Sequence, residues 1–221
     1  VGSVILLHGG NGHLDLSAQG EIGKGKGNQL VRTRAQYAAA GWLTLVPDVA
    51  ADLKREEDRR TAYRWSTAHA EDLGALVKHM RGLARPVYLV GTSRAAISVV
   101  NAANKTKGAE APDALVVTAG MLVHVTDEQP SAERQSGGFG RITQPTLIVY
   151  HQNDGCAYTP SASGAKAKAM LQASKKVDLK IMTGGSAGEG DPCQANSPHG
   201  FKGLDGEVVA LVSDWLKALQ K

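Results

Sequence analysis

Short apolar runs alternate along this chain with longer stretches in which apolar residues recur every three or four positions. The short runs, rich in Val, Ile, Leu and Tyr, predict strands near 2–8, 42–47, 86–91, 114–119, 145–151 and 176–182. The longer stretches predict helices near 28–40, 67–83, 94–105, 161–173 and 204–219. The last has the plainest stripe: Leu204, Val208, Leu211, Val212, Trp215, Leu216 and Leu219 share one face, which suits core packing rather than lipid. Strand and helix in alternation imply a mostly parallel sheet covered on both faces, because parallel neighbours need crossovers long enough to hold a helix. No repeat or Pro/Gly/Ser-rich linker divides the chain, so a single domain over residues 1–221 is expected.

Composition narrows the class without deciding it. Hydrophobic residues make up 42% of the chain and charged ones 21%, the balance of a soluble globular protein, and no apolar run approaches a membrane span. The net charge of +4 comes from scattered residues: Lys24 and Lys26, a mixed run from Lys54 to Arg60 that includes Glu56, Glu57 and Asp58, and Lys166, Lys168, Lys175 and Lys176. Aromatics are 5% and do not interleave with these bases, so a solvated surface explains the charge better than nucleic-acid binding.

Candidate chemistry centres on residues 86–107, PVYLVGTSRAAISVVNAANKTK. A strand runs into Gly91-Thr92-Ser93-Arg94-Ala95 and then into a helix, the setting in which a serine is pushed out of the backbone where a base can reach it. Small residues on both sides of Ser93 suit a turn too sharp for bulky side chains. A serine capping the helix would read the same way, and the pentapeptide by itself leaves both roles open. Partners for a nucleophile lie further on. Residues 145–154, PTLIVYHQND, form an apolar run ending in a polar loop with Asp154, and SPHGF at 197–201 sets His199 just before the last helix. A serine hydroxyl needs a base because it is almost un-ionised at neutral pH, and the base needs an acid to fix its tautomer.

The chain resembles a small α/β-hydrolase, in particular bacterial dienelactone-hydrolase-like esterases with a Gly-Thr-Ser-Arg elbow. The motifs are VILLHGG at 4–10, GTSRA at 91–95, YHQNDGC at 150–156 and DPCQANSPHGF at 191–201, and they follow the family's order of serine, acid and histidine. The resemblance implies a minimal α/β-hydrolase fold with Ser93, Asp154 and His199 as catalytic triad and no cofactor or metal. It further implies an oxyanion hole from the backbone of Gly10 and Arg94, with Asn11 as a neighbouring candidate. The position where larger relatives insert a cap domain holds only residues 120–144, a polar glycine-rich loop or small flap, so an open site is expected. The function implied is cleavage of a small-molecule carboxylic ester through an acyl-enzyme. Thioester, lactone or amide cleavage, acyl transfer, and a non-catalytic binding role are the alternatives. If the triad assembles, the loops carrying Cys156 and Cys193 converge and a disulfide between them becomes plausible, pointing to a periplasmic or secreted protein rather than a cytoplasmic one. The chain opens on strand-like residues, so any export segment has been removed or never existed.

Several rivals are weaker. Asp191 competes with Asp154 as the acid but sits in the glycine-rich stretch 183–196. His8 reads as a structural loop histidine. GEIGKGKG at 20–27 nearly matches a phosphate loop, yet Gly27 stands where Ser or Thr should be and no strand feeds it, so it more plausibly borders the pocket. His13, His79, His124 and His151 lack zinc-ligand spacing. Tyr63 to Asp72 have quiet helix-start roles, with Ser66 as N-cap and Asp72 as a first-turn acid. The Arg94 side chain could bind an acidic substrate group or pair with a carboxylate.

Overall fold

The computed structural model describes residues 2–54 and 56–221; Val1 and Arg55, with the side chains of Glu57 and Asp58 in the mixed-charge run, lie outside it. In chain order the elements are β1 (Ser3–Leu7), α1 (Gln29–Arg32), α2 (Arg34–Ala39), β2 (Leu43–Leu45), α3 (Glu57–Tyr63), α4 (Thr67–Leu83), β3 (Val87–Thr92), α5 (Ala95–Lys105), β4 (Ala114–Thr118), α6 (Ala132–Gln135), β5 (Thr146–His151), α7 (Ala162–Met170), β6 (Val177–Met182) and α8 (Asp205–Ala218). The strands form one sheet, ordered β2-β1-β3-β4-β5-β6, and every neighbouring pair is parallel.

Alternation along the strands divides the core between the two faces of the sheet. Ile5, Leu89, Leu115, Val117 and Ile148 face Val77 of α4 and Ile97 and Val100 of α5. Their strand neighbours Val4, Leu6, Val90, Val116 and Val149 face Leu30, Tyr37 and the α8 stripe of Val208, Val212 and Leu216. Strands buried on both faces read as continuous apolar runs, as β1, β3, β4 and β5 do. β6 lies at the edge and is only half buried, in keeping with its sequence VDLKIM.

Three local features differ from the sequence expectation. The helix anticipated over 28–40 is two helices, because Thr33 leaves helical geometry while its hydroxyl donates to the Gln29 carbonyl at 2.7 Å. The flap at 120–144 contains the short α6. Ser66 does cap α4, accepting from the His69 N–H at 3.0 Å, but Asp72 lies beyond the first turn and accepts instead from the Tyr63 hydroxyl.

Because all the strands are parallel, their C-terminal ends share one edge of the sheet, where open α/β sheets bind ligands. His8 follows β1, Ser93 follows β3, and the loop after β5 holds Asp154. His199 arrives from the long connection between β6 and α8, in a single 3-10 turn over Pro198–Gly200.

Candidate active site

Ser93 occupies a left-handed backbone conformation, φ +55°, that residues with a side chain rarely adopt. The turn is pinned from β4: the Ser93 N–H donates to the Thr118 carbonyl at 3.0 Å, and the Ser93 carbonyl accepts from the Met121 N–H at 3.1 Å. Gly91 is required by the crossing of β3 and α5, since a Cβ there would lie 2.6 Å from a Val99 methyl and 3.0 Å from the Ala95 carbonyl. Arg94, not Ser93, is the N-cap residue of α5, and its side chain makes no capping hydrogen bond. The capping role left open by the sequence is therefore not the one Ser93 plays.

The imidazole of His199 is held on one side by the loop after β5. Its Nδ1 lies 3.0 Å from Oδ2 of Asp154 and 2.9 Å from Oγ1 of Thr159. The Thr159 hydroxyl donates to the same Asp154 oxygen at 3.0 Å, and the Cys156 N–H donates to the other at 2.9 Å. The Asp154 side chain is fully buried and that of His199 is 4% exposed. A carboxyl group buried so completely needs its oxygens hydrogen-bonded, and these donors supply that. The His199 backbone is tied down as well. Its N–H donates to Ser197 Oγ at 3.2 Å, and Arg32 donates to the neighbouring Gly200 carbonyl at 2.7 Å while paired to Asp205.

Asp191 is exposed and engaged elsewhere, accepting from the Cys193 N–H at 2.9 Å and from Gln194 Nε2 at 3.1 Å. Cys156 and Cys193 are disulfide-bonded, joining the loop that carries Asp154 to the one that delivers His199.

Ser93, His199, Gly10, Asn11 and Arg94 line one cleft of about 580 Å³, with Asp154 behind His199. The glycines after β1 allow a close approach: a Cβ on Gly9 would sit 3.2 Å from Cβ of Ser93 and 3.1 Å from the Thr92 carbonyl. Gly25 and Gly27 border the same cleft, and Gly25 packs so tightly on the His8 ring that a Cβ would lie 2.6 Å from Nε2. Burial, and after it the charge of Arg64, pull the His8 pKa down to about 4, so its ring is neutral at physiological pH. Arg94 donates through Nη2 to Oε1 of Gln129 in the flap at 3.2 Å, and no carboxylate pairs with it among the described residues.

Two residues of this site escaped the sequence reading. Thr159 bridges Asp154 and His199, yet nothing about a threonine in a loop distinguishes it. Arg64 reaches the loop after β1 from the end of α3, and only the fold brings those segments together.

By sequence, no protein-family model and no curated protein matches the chain. Solved structures do resemble it. A structure reported for the metagenome-derived lipolytic enzymes LipS and LipT superposes with a TM-score of 0.66 at 13% identity, covering 99% of this chain and 95% of that one. A Xanthomonas campestris protein assigned to the alpha/beta superfamily of hydrolases gives 0.60 at 16% identity, covering 99% of both chains. Esterase PE8 gives 0.54 at 17% identity, covering 98% of this chain and 92% of that one. The chain has a minimal α/β-hydrolase fold.

Proposed function

We propose that this α/β-hydrolase fold is a serine hydrolase of small-molecule carboxylic esters, with Ser93 as nucleophile, His199 as base and Asp154 as acid. The observation that carries the reading is the strained Ser93 turn opening on the same cleft as an imidazole whose far nitrogen is held by a buried carboxylate. The lipolytic and esterase activities named for the similar folds lend it support.

In this mechanism Nε2 of His199 removes the Ser93 proton as Oγ adds to the ester carbonyl. Asp154 holds Nδ1–H, fixing the tautomer that leaves Nε2 free and stabilising the imidazolium that forms. The oxyanion accepts hydrogen bonds from the backbone N–H groups of Gly10 and Arg94, with Asn11 as the neighbouring donor. Neither the Gly10 nor the Arg94 N–H has another acceptor among the described residues. Collapse breaks the ester C–O bond, and His199 returns the proton to the departing alcohol. Water, deprotonated by His199, then hydrolyses the acyl-Ser93 ester. Every step is supplied by side chains and backbone of this chain.

With only the short segment 120–144 where a cap domain would sit, we expect an open cleft and turnover of modest soluble esters, with no jump in rate at the substrate's solubility limit. The Cys156–Cys193 bond favours an exported protein, periplasmic or secreted. The test of the function is hydrolysis of an acyl-length series of p-nitrophenyl esters by wild type and Ser93→Ala. Turnover by wild type that the variant loses supports the reading, and equal rates for the two overturn it.

A further inference from the structure

Arg64 is 5% exposed and has no carboxylate partner among the described residues. Its guanidinium is spent on the backbone after β1: Nη2 lies 2.9 Å from the His8 carbonyl and 3.2 Å from those of Gly9 and Gly10. Nη1 donates at 2.9 Å to Oγ of Ser98, one turn into the helix that follows the nucleophile. Burial, and behind it the charge of Arg94, lower the Arg64 pKa to about 9, which leaves the group charged at neutral pH. A charge buried without a counter-ion is costly, and three carbonyl dipoles with a hydroxyl are what hold it.

Peptide geometry gives these contacts a consequence. In a trans peptide the C=O of one residue and the N–H of the next point in opposite directions. The Gly9 carbonyl shares its peptide plane with the Gly10 N–H, and the Gly10 carbonyl shares its plane with the Asn11 N–H. A cation drawing both carbonyls to one side turns both N–H groups to the other. These are the loop's two candidate oxyanion donors. The loop between β1 and α1 is rich in glycine, with Gly10 at φ +53° and Gly12 at φ +77°; a turn hydrogen bond from the Gly12 N–H to the Gly9 carbonyl at 3.1 Å braces it from within, and Arg64 adds the hold on the Gly10 carbonyl that this turn does not reach. A Cβ on Gly12 would come within 2.9 Å of Nη2, so that position admits the guanidinium only when bare.

We propose that Arg64 is the positioning residue of the oxyanion hole: it aims the Gly10 and Asn11 peptide planes and, through Ser98, fixes them against the Ser93 helix. The inference rests on the serine-hydrolase reading and adds a residue that touches neither substrate nor reacting atoms. Misaimed donors weaken binding of the tetrahedral oxyanion more than binding of the ground-state ester, so the loss falls on kcat rather than KM.

The test measures p-nitrophenyl butyrate hydrolysis by Arg64→Ala, Arg64→Lys and Ser98→Ala, with folding checked by circular dichroism. Arg64→Ala is expected to lower kcat roughly 100-fold with KM within about threefold, the range for losing one oxyanion donor. Because Arg64 already borders a cavity of about 70 Å³, the vacated space should admit guanidinium. Added at non-denaturing millimolar levels, guanidinium is expected to restore roughly tenfold of the lost kcat in Arg64→Ala and nothing in wild type. Arg64→Lys keeps the charge with a differently placed donor set and should fall between the two. Ser98→Ala, expected to lower kcat a few-fold at constant KM, decides the matter if Arg64→Ala does not fold. A folded Arg64→Ala with wild-type kcat, or a loss confined to KM, or an unchanged Ser98→Ala where Arg64→Ala cannot fold, overturns the assignment. If instead wild type and Ser93→Ala hydrolyse the ester equally, the hydrolase reading itself has failed.

Discussion

The Asp154 carboxylate, fully shielded from solvent, stands 3.0 Å from Nδ1 of His199 although 45 residues separate the two in the chain. On the proposed mechanism that contact favours Asp154 over Asp191 as the acid. Asp154→Asn should lower kcat by about 1,000- to 10,000-fold with the fold intact, because an amide favours the wrong imidazole tautomer. Asp191→Asn, altering an exposed side chain that caps the Cys193 backbone, should stay within about threefold of wild type. Steady-state kinetics on the two purified variants checks this, and the reverse ranking would transfer the role to Asp191.

Thr159 offers a finer probe of the same contact. Its hydroxyl donates to Asp154 and lies 2.9 Å from Nδ1 of His199, so it orients the carboxylate and fills the remaining space beside the ring. Thr159→Val keeps the shape and removes one hydrogen bond to a charged group, worth about 1.5 to 3 kcal/mol. The expected result is a drop in kcat of roughly 10-fold and a lower unfolding midpoint in urea. A variant equal to wild type in both would reduce Thr159 to packing.

Backbone strain at Ser93 predicts that stability and function conflict there. A residue with a Cβ at φ +55° carries on the order of 1 to 2 kcal/mol of strain that glycine does not. Ser93→Gly should therefore unfold about 1 kcal/mol later than Ser93→Ala, after allowing for glycine's more flexible unfolded chain, while both are inactive. Equal or reversed midpoints in urea would mean that the turn is relaxed.

Two partly buried histidines with lowered pKa values make stability fall in acid. Burial, followed by the charge of Arg64, lowers the pKa of His8 to about 4 and that of His69 to about 3, against 6.5 in the open chain. Between those values the unfolded chain binds protons that the folded one refuses, so stability is complete above pH 6.5 and declines as pH falls toward 4. Between pH 7 and pH 5 each histidine should contribute a loss on the order of 2 kcal/mol. Urea unfolding across this range measures it, and His8→Asn should flatten the slope by about half. A midpoint independent of pH would contradict the lowered pKa of both rings.

The sheet was legible in the sequence because strands buried on both faces are continuous apolar runs, and the edge strand β6 betrays itself by Asp178 and Lys180. The α8 stripe was equally plain. The split between α1 and α2 was not, because a mid-helix threonine turning its hydroxyl onto Gln29 leaves the hydrophobic spacing undisturbed. Ser93, Asp154 and His199 stood out because each follows a strand or precedes a helix in a recognisable motif. Thr159 and Arg64 did not, since what singles them out is contacts to backbone and to other polar groups that no one-dimensional spacing encodes.

The most direct test of the central claim is covalent labelling of the folded protein by a fluorophosphonate, read by intact mass and peptide mapping. An activated serine hydroxyl in the cleft predicts one label per chain, on Ser93, abolished in Ser93→Ala and strongly slowed in His199→Ala. No label on folded wild type, or undiminished labelling of Ser93→Ala, would contradict it.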